Sequence, residues 1–277
     1  MTRVPFRKMH GLGNDFVVLD QRRDPLRIDA AAARALADRH TGIGCDQLLL
    51  LELPLHEKAH VFLRILNPDG SEAEACGNGT RCVARLLGAE TGACDLVIET
   101  EAGLLHATIG ENGTATVDMG APRLGWRDIP LSREMDTLKV DLAMGPLAEP
   151  VCTSMGNPHA TFFVDDAETV DIAKLGPLLE HDPLFPERAN IGVATVRDPQ
   201  TIRLRMWERG AGVTRACGSG ACAALVAAHR CGLADRRATV ILDGGNLEIA
   251  WSENGHVQMS GPTTLSFEGI FDTAVLL

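Results

Sequence analysis

The sequence contains no tyrosine, and aromatic residues of every kind make up only 4% of its 277 positions. An interface built on tyrosine is therefore excluded. Lysine is nearly as scarce: only Lys8, Lys58, Lys139 and Lys174 occur, and none sits in a setting that suggests a pyridoxal phosphate Schiff base. No apolar run approaches the roughly 20 residues that a membrane-spanning helix needs. The opening MTRVPFRKMH (Met1 to His10) lacks the apolar stretch of a signal peptide. These absences place the expected protein in a reducing cytoplasm and away from a membrane. No C-x-x-C occurs, which weakens a zinc reading, and no metal site is expected. Gly11-x-Gly13 and Gly42-x-Gly44 lack the third glycine of a dinucleotide fingerprint, and neither Walker A nor H-E-x-x-H is found. Positive charge is also in deficit: the net charge of −11 argues against nucleic acid and anionic lipid as partners.

What remains is ordinary globular composition, 45% apolar and 23% charged, at a length that suits one large or two modest domains. Short β-forming runs dominate: Phe62 to Leu66, Leu96 to Thr100, Leu104 to Ile109 and Thr114 to Met119 in the first half. Thr161 to Val164, Thr201 to Trp207, Thr239 to Leu242, Leu247 to Trp251 and His256 to Met259 follow in the second. Glu111-Asn112-Gly113 and Glu253-Asn254-Gly255 read as hairpin turns. Helices are expected at Asp29 to His40, with Asp29 as N-cap, and at Gly79 to Leu87 and Gly220 to Cys231.

The organising feature is an internal repeat. Gly13-Asn14, Ile43-Gly44, Asn67 and Ala75-Cys76-Gly77-Asn78-Gly79 in the first half return as Gly156-Asn157, Ile191-Gly192, Glu208 and Ala216-Cys217-Gly218-Ser219-Gly220. Asn to Cys spans 62 positions (76 − 14) in one half and 60 (217 − 157) in the other, and the polar residue precedes its Cys by nine in both. Two homologous domains are expected, packed as pseudo-mirror partners about a shared cleft. The boundary is set near Gly120-Ala121-Pro122: residues 1–121 form the first domain, with 263–277 crossing back to it, and 122–262 form the second.

The chemistry is carried by the two Cys-Gly-x-Gly loops. A glycine-rich entry into a helix puts Cys76 and Cys217 among free backbone N–H groups at the positive end of a helix dipole. That setting lowers a cysteine pKa, so both are expected to be candidate thiolates. The same amides can hold a carboxylate. One such loop is more often a plain turn. Two, at matched positions of a duplicated domain, point to two thiols on opposite sides of one carbon, the arrangement for racemisation or epimerisation. Without pyridoxal phosphate, the carbanion must be stabilised by preorganised donors, about 3–4 kcal/mol each. No cofactor is expected.

The motifs HGLGNDFVVLD (His10 to Asp20), GIGCDQLLLL (Gly42 to Leu51), NPDGSEAEACGNGTRC (Asn67 to Cys82), SMGNPHATFFV (Ser154 to Val164), Asn190-Ile191-Gly192 and WERGAGVTRACGSGACAA (Trp207 to Ala224) resemble the diaminopimelate epimerases, in order and over nearly the whole chain. The resemblance implies an α+β fold of two pseudo-symmetric domains, each a curled, mostly antiparallel, barrel-like sheet around a central helix. It implies cofactor-independent interconversion of LL- and meso-diaminopimelate, and a homodimer. By motif position, Cys76 would donate and Cys217 accept the proton for the LL substrate. Asn14, Gln47, Asn67, Gly77, Asn78, Asn157, Asn190, Glu208, Arg209, Gly218 and Ser219 would bind a small amino-acid substrate. His159 and Glu208 would tune the cysteines. Arg209 can pair bidentately with a distal carboxylate, and amide side chains cost less than charges to bury. Pro68 and Val213 depart from the family pattern.

Plainer readings stand beside these. Asn14 and Asn157 could be left-handed turn residues, His159 a solvated loop histidine, and Glu208-Arg209 an exposed ion pair. Cys82 and Cys222 read as core, and Cys45, Cys94, Cys152 and Cys231 receive no role. The rival functions are a two-thiol proline or hydroxyproline racemase, a non-catalytic amino-acid-binding protein on the same fold, and, more weakly, a redox protein whose two cysteines form a reversible disulfide. Asn78 and Arg209 weigh against the racemase, whose relatives typically carry His at the Asn78 position.

Overall fold

The computed structural model of the chain describes residues 3–110 and 112–276. Met1, Thr2 and Leu277 of the expected first domain, and Glu111 of the first expected turn, lie outside the described residues. By its internal contacts the chain forms two compact units, Met1–Val117 with Gly261–Leu277, and Asp118–Ser260.

Unit 1 runs β1 (Arg3–Gly11), β2 (Asn14–Asp20), α1 (Ala30–Ala37), β3 (Gln47–Glu52), β4 (Val61–Leu66), β5 (Glu72–Ala73), α2 (Gly77–Thr91), β6 (Asp95–Thr100), β7 (Gly103–Ile109) and β8 (Ala115–Asp118). Unit 2 continues with β9 (Ala143–Met144), β10 (Leu147–Ala148), β11 (Val151–Ser154), β12 (Pro158–Phe163), α3 (Ile172–Glu180), β13 (Asn190–Asp198) and β14 (Thr201–Glu208). It closes with β15 (Gly212–Thr214), α4 (Gly218–Arg230), β16 (Arg237–Leu242), β17 (Gly245–Trp251) and β18 (Val257–Gly261), after which β19 (Thr264–Asp272) pairs antiparallel with β1 of unit 1.

The duplication read from the motifs is written into the strand pairing. In unit 1, β2–β3 and β4–β6 are parallel, while β3–β4, β4–β5, β6–β7 and β7–β8 are antiparallel. In unit 2, β12–β13 and β14–β16 are parallel, while β13–β14, β14–β15, β16–β17 and β17–β18 are antiparallel. The registers agree residue by residue. Gln47 lies opposite Phe16, two past Asn14, and Asn190 lies opposite His159, two past Asn157. Gln47 and Asn190 are thus repeat equivalents, which the spacing of motifs alone did not show.

In each unit the helix that follows the cysteine packs on the strands of its repeat. α4 buries nearly its whole length, Gly218 through Ala228 apart from half-buried Ser219, because Gly, Ala and Cys let β11 to β14, β16 and β17 approach closely. α2 buries Asn78 to Ala84 and Leu87 and packs on β1, β6 and β7. In unit 1, α1 is capped by Asp29, whose carboxylate accepts from Ala31 and Ala32 N–H. Its apolar face, with Ala33 and Leu36, packs on Val17, Leu19, Leu48 and Leu50. In unit 2, Phe162, Ile191 and Val193 meet Ile172 and Leu179 of α3.

The structure extends and adds to the sequence reading. The helices after the cysteines start two residues earlier than expected, at Gly77 and Gly218, and α1 stops at Ala37 instead of His40. β1, β2, β3, β13 and α3 were not anticipated. FVVL of β2 and LLLL of β3 are buried on both faces, so they lack the alternation that marks a half-exposed strand. α3 carries Pro177 and Gly176 inside it, which masked its helical period.

Candidate active site

Both cysteines are helix N-caps. Cys76 precedes α2 with extended backbone (φ −146°, ψ 106°), and its Sγ accepts from Gly79 N–H at 3.4 Å. Cys217 precedes α4 (φ −115°, ψ 108°), and its Sγ accepts from Gly220 N–H at 3.3 Å. A sulfur thus fills the role usually taken by a Ser or Asp oxygen, satisfying one of the orphan amides of the first turn. The glycine at the third helical position in unit 2 is crowded: a Cβ on Gly220 would lie 2.7 Å from Met206 Cε and 3.1 Å from the Cys217 sulfur, so Met206 would have to turn aside.

Around Cys76, Asn14 Oδ1 lies 3.9 Å from the thiol and accepts from Asn78 Nδ2 at 3.1 Å. Asn14 Nδ2 donates to Asp46 Oδ2 at 3.0 Å. Gln47 Nε2 donates to Asn67 Oδ1 at 3.0 Å, and Asn67 Nδ2 donates to Ser71 Oγ. Pro68 fits here because Asn67 opens a turn closed by Gly70 N–H onto its carbonyl. Behind Asn14, Arg39 and Lys8 grip Asp15. Burial alone would raise the Asp15 carboxyl, but the hydrogen bonds from Arg39 and Lys8 outweigh it and hold the pKa at about 2.

Around Cys217 the partners differ. Ser219 Oγ lies 3.7 Å from the sulfur, Asn157 Nδ2 donates to Ser219 Oγ at 3.4 Å, and His159 Nε2 lies 2.9 Å from Asn157 Oδ1 and 3.1 Å from Ser219 Oγ. Burial, with the Arg209 charge, pushes the His159 pKa down to about 3, so the ring is neutral. Burial pushes the Cys217 thiol well above its usual range and the Glu208 charge adds to this, while Ser219 and the Gly220 N–H pull part-way back. The helix start alone makes Cys217 a candidate thiolate; in the fold desolvation outweighs the dipole and the Glu208 charge adds to it.

Glu208 Oε1 accepts from Thr214 Oγ1, whereas Arg209 Nη1 donates to the Glu187 carbonyl, so the two side chains take separate partners. Asn190 is buried and engaged at both ends, donating to the Pro158 carbonyl and accepting from Arg209 N–H. It ties the His159 strand to the Glu208-Arg209 turn. Glu180 of α3, which the sequence did not single out, supports that turn from behind through Trp207 Nε1 and Gly210 N–H. Gly13 and Gly156 carry the left-handed conformation (φ 89° and 93°), which leaves Asn14 and Asn157 in other backbone regions with side chains available. His159 sits on β12 out of solvent. Cys82, Cys222, Cys45 and Cys152 are buried and Cys94 and Cys231 exposed, all as free thiols. Burial pushes Cys82 and Cys152 to about 12 and Cys45 to about 11. Val213 is exposed on β15, opposite Trp207. Among the described residues, no three His, Cys, Asp or Glu side chains cluster so as to hold a metal ion, and no helix is long and apolar enough to cross a membrane.

The model of the family described as diaminopimelate epimerase matches residues 6–125 and 151–266, taking in both cysteine loops and every partner named above. The chain belongs to the diaminopimelate epimerase family. A protein named diaminopimelate epimerase from Acidiphilium cryptum is 61% identical over 98% of this chain and 98% of its own length. One of the same name from Rhodospirillum centenum is 59% identical over 98% and 93%. Among solved structures, a hydroxyproline epimerase from Agrobacterium vitis with bound trans-4-hydroxy-L-proline superposes with TM-score 0.71 at 14% identity, covering 98% of this chain and 91% of that one. That likeness shows the shared two-repeat α+β fold. In this chain the paired cysteine N-caps occupy equivalent places in the two repeats.

Proposed function

We propose that this protein epimerises LL-2,6-diaminopimelate to the meso isomer, in lysine and peptidoglycan precursor synthesis, by proton transfer between Cys76, Cys217 and one Cα. The observation that carries the reading is the pair of cysteine N-caps at equivalent repeat positions in a chain of this family. Cys217 takes the α-proton of the LL substrate: the C–H bond breaks and S–H forms. Cys76 delivers its thiol proton to the opposite face and is left as thiolate. Exchange with water resets both. The reverse reaction exchanges the roles.

Because Cys217 rests as a thiol, it releases its proton to solvent water before acting. The substrate ammonium offsets the Glu208 charge, and Ser219 with Gly220 N–H stabilises the sulfur anion as it forms. The amides of Gly77, Asn78, Gly218 and Ser219 hold the α-carboxylate at helix N-termini, where developing negative charge is stabilised without pyridoxal phosphate. Lys8, committed to Asp15 and the Gly44 carbonyl, is unsuited to a Schiff base. Arg209, placed by Asn190, clamps the distal carboxylate, and Asn14, Gln47, Asn67, Asn157 and Glu208 receive ammonium protons and orient the chain of the substrate. His159, neutral and bonded to Asn157 and Ser219, tunes Cys217 through the hydroxyl.

The racemase alternative is disfavoured by Asn78 and Arg209, since a single-carboxylate ring needs no distal clamp. Incubation with diaminopimelate, proline or hydroxyproline in deuterated water distinguishes them. Deuterium is expected at Cα of diaminopimelate alone, and exchange of proline instead would overturn the reading. A non-catalytic binding protein would keep its behaviour in Cys76→Ser and Cys217→Ser, whereas an epimerase loses turnover in both. The redox reading is tested by oxidation: a disulfide has no thiolate to act as base, so turnover should be lost with the bond formed, and unchanged turnover would refute the two-thiol mechanism.

The wider setting belongs to the same proposal. Exposed Leu265, Phe267 and Ile270 along β19 support a homodimer, and sedimentation of the parent beside Phe267→Asp tests it.

A further inference from the structure

The two repeats hold equivalent asparagines, Asn14 and Asn157, by opposite means. At the position two past the asparagine, unit 2 has His159 and unit 1 has Phe16, which is fully buried and cannot hydrogen bond. By the same register, the place of Asp46 in unit 1 is taken by Ala189 in unit 2. Asn157 turns its amide nitrogen toward the helix start, onto Ser219. Asn14 turns its oxygen there, onto Asn78 and the Cys76 thiol.

The direction in unit 1 is set by the ends of a chain. Arg81, on α2 and fully buried, donates from Nη2 to Asn78 Oδ1 at 2.8 Å. Asn78 Nδ2 donates to Asn14 Oδ1, and Asn14 Nδ2 donates to Asp46 Oδ2. Asp46 Oδ1 accepts in turn from Arg39 Nη2 at 2.7 Å. A guanidinium only donates and a carboxylate only accepts. With those groups at the two ends, each amide between them has one orientation that satisfies both neighbours. Flipping Asn14 would set its oxygen against Asp46 and its NH2 against the NH2 of Asn78. Gly11 makes room for the arrangement: a Cβ there would lie 2.9 Å from Arg81 Nη2 and 3.3 Å from Asn78 Cβ.

We propose that Asp46 and Arg81 are positioning residues which fix the direction of this chain, so that Asn14 offers an acceptor to Cys76 and keeps it as the S–H proton donor. At Cys217 the Ser219 hydroxyl lies 3.7 Å away and can donate to a sulfur anion, while Glu208 takes a hydrogen bond from the thiol. In unit 1 the acceptor turned to the sulfur is a neutral amide, and its direction originates one shell behind the groups that touch substrate. The catalytic consequence rests on the two-thiol reading above; the orientation itself does not.

The test is site-resolved alkylation of Cys76 by iodoacetamide as a function of pH, read by peptide mass. The charged groups packed around Asn14 are Lys8 from β1, Asp15 from β2, Arg39 and Asp46 from the segment before β3, and Arg81 from α2. Asp46→Asn removes one negative charge and one of the two acceptor oxygens that Asn14 Nδ2, the Asp15 N–H and Arg39 share, so Asn14 is no longer held to one orientation. Asp15→Asn removes the same charge from the same cluster but leaves the relay intact, and Asp46→Glu keeps an acceptor-only end. The expected result is a Cys76 midpoint in Asp46→Asn at least one pH unit below that of Asp15→Asn. Asp46→Glu should stay near the parent, and the Cys217 profile should not move. LL-to-meso kcat should fall at least tenfold in Asp46→Asn and recover in Asp46→Glu. Equal shifts in Asp46→Asn and Asp15→Asn, or a Glu variant that behaves like Asn, would overturn the proposal. Alkylation needs no substrate, so the relay can fail while the parent still epimerises, and an inactive parent would sink the two-thiol reading without touching the titration.

Discussion

Acid should weaken unit 2 through His159. Its pKa is held at about 3 by burial and by the Arg209 charge, against 6.5 for the free side chain. A base whose folded pKa is depressed binds fewer protons folded than unfolded between those two values. Its contribution to stability is complete above 6.5 and is lost as pH falls toward 3. The slope inside that window is about 1.4 kcal/mol per pH unit, so lowering the pH from 7.5 to 5 should cost about 2 kcal/mol through this residue. His159→Gln does not titrate and can still donate to Asn157 Oδ1. The assay is urea unfolding of parent and variant at pH 7.5, 6 and 5. Contributions of the paired carboxylates such as Asp15 are common to both proteins and cancel in the comparison. The parent should lose about 2 kcal/mol more than the variant over that range. Equal acid sensitivity would show that the imidazole is protonated in the folded protein, and the neutral ring beside Ser219 would have to be abandoned.

Other expectations concern the sulfur sites. Glu208→Gln removes a charge that raises the Cys217 thiol, so the pH midpoint of Cys217 alkylation should fall while that of Cys76 stays put. Gly220→Ala places a methyl 2.7 Å from Met206 Cε, and overpacking of this kind costs about 1–3 kcal/mol, enough to lower the melting temperature measurably. The Gly220→Ala loss should shrink when measured in a Met206→Ala background; the same loss in both backgrounds would mean that the clash is not with Met206.

The duplication and both reactive loops were legible because their signals are local: a Gly-rich helix entry with Cys at the cap reads directly from sequence, twice. Buried strands such as β2 and β3 were not, since apolar residues on both faces erase the alternation. Chemistry that depends on distance along the chain was equally hidden. Asp46 sat inside a quoted motif without a role, because its partner Asn14 is 32 residues away and meets it only when β2 and β3 pair in parallel. The Cys217 pKa was hidden for a related reason. Sequence shows the helix start that lowers it, while the burial and the Glu208 charge that outweigh the helix come from the folded surroundings.

The most direct measurement follows hydrogen at Cα. LL-diaminopimelate is incubated in deuterated water with the parent, with Cys76→Ala and with Cys217→Ala, and the recovered LL and meso pools are analysed separately for deuterium. With the parent, meso product should carry solvent deuterium at one Cα. Cys76→Ala should wash deuterium into the LL pool without forming meso, because Cys217 can still remove the proton and return it to the same face. Cys217→Ala should leave the LL pool unlabelled. Meso formed by either single variant at the parent rate would contradict two thiols working on opposite faces of one carbon.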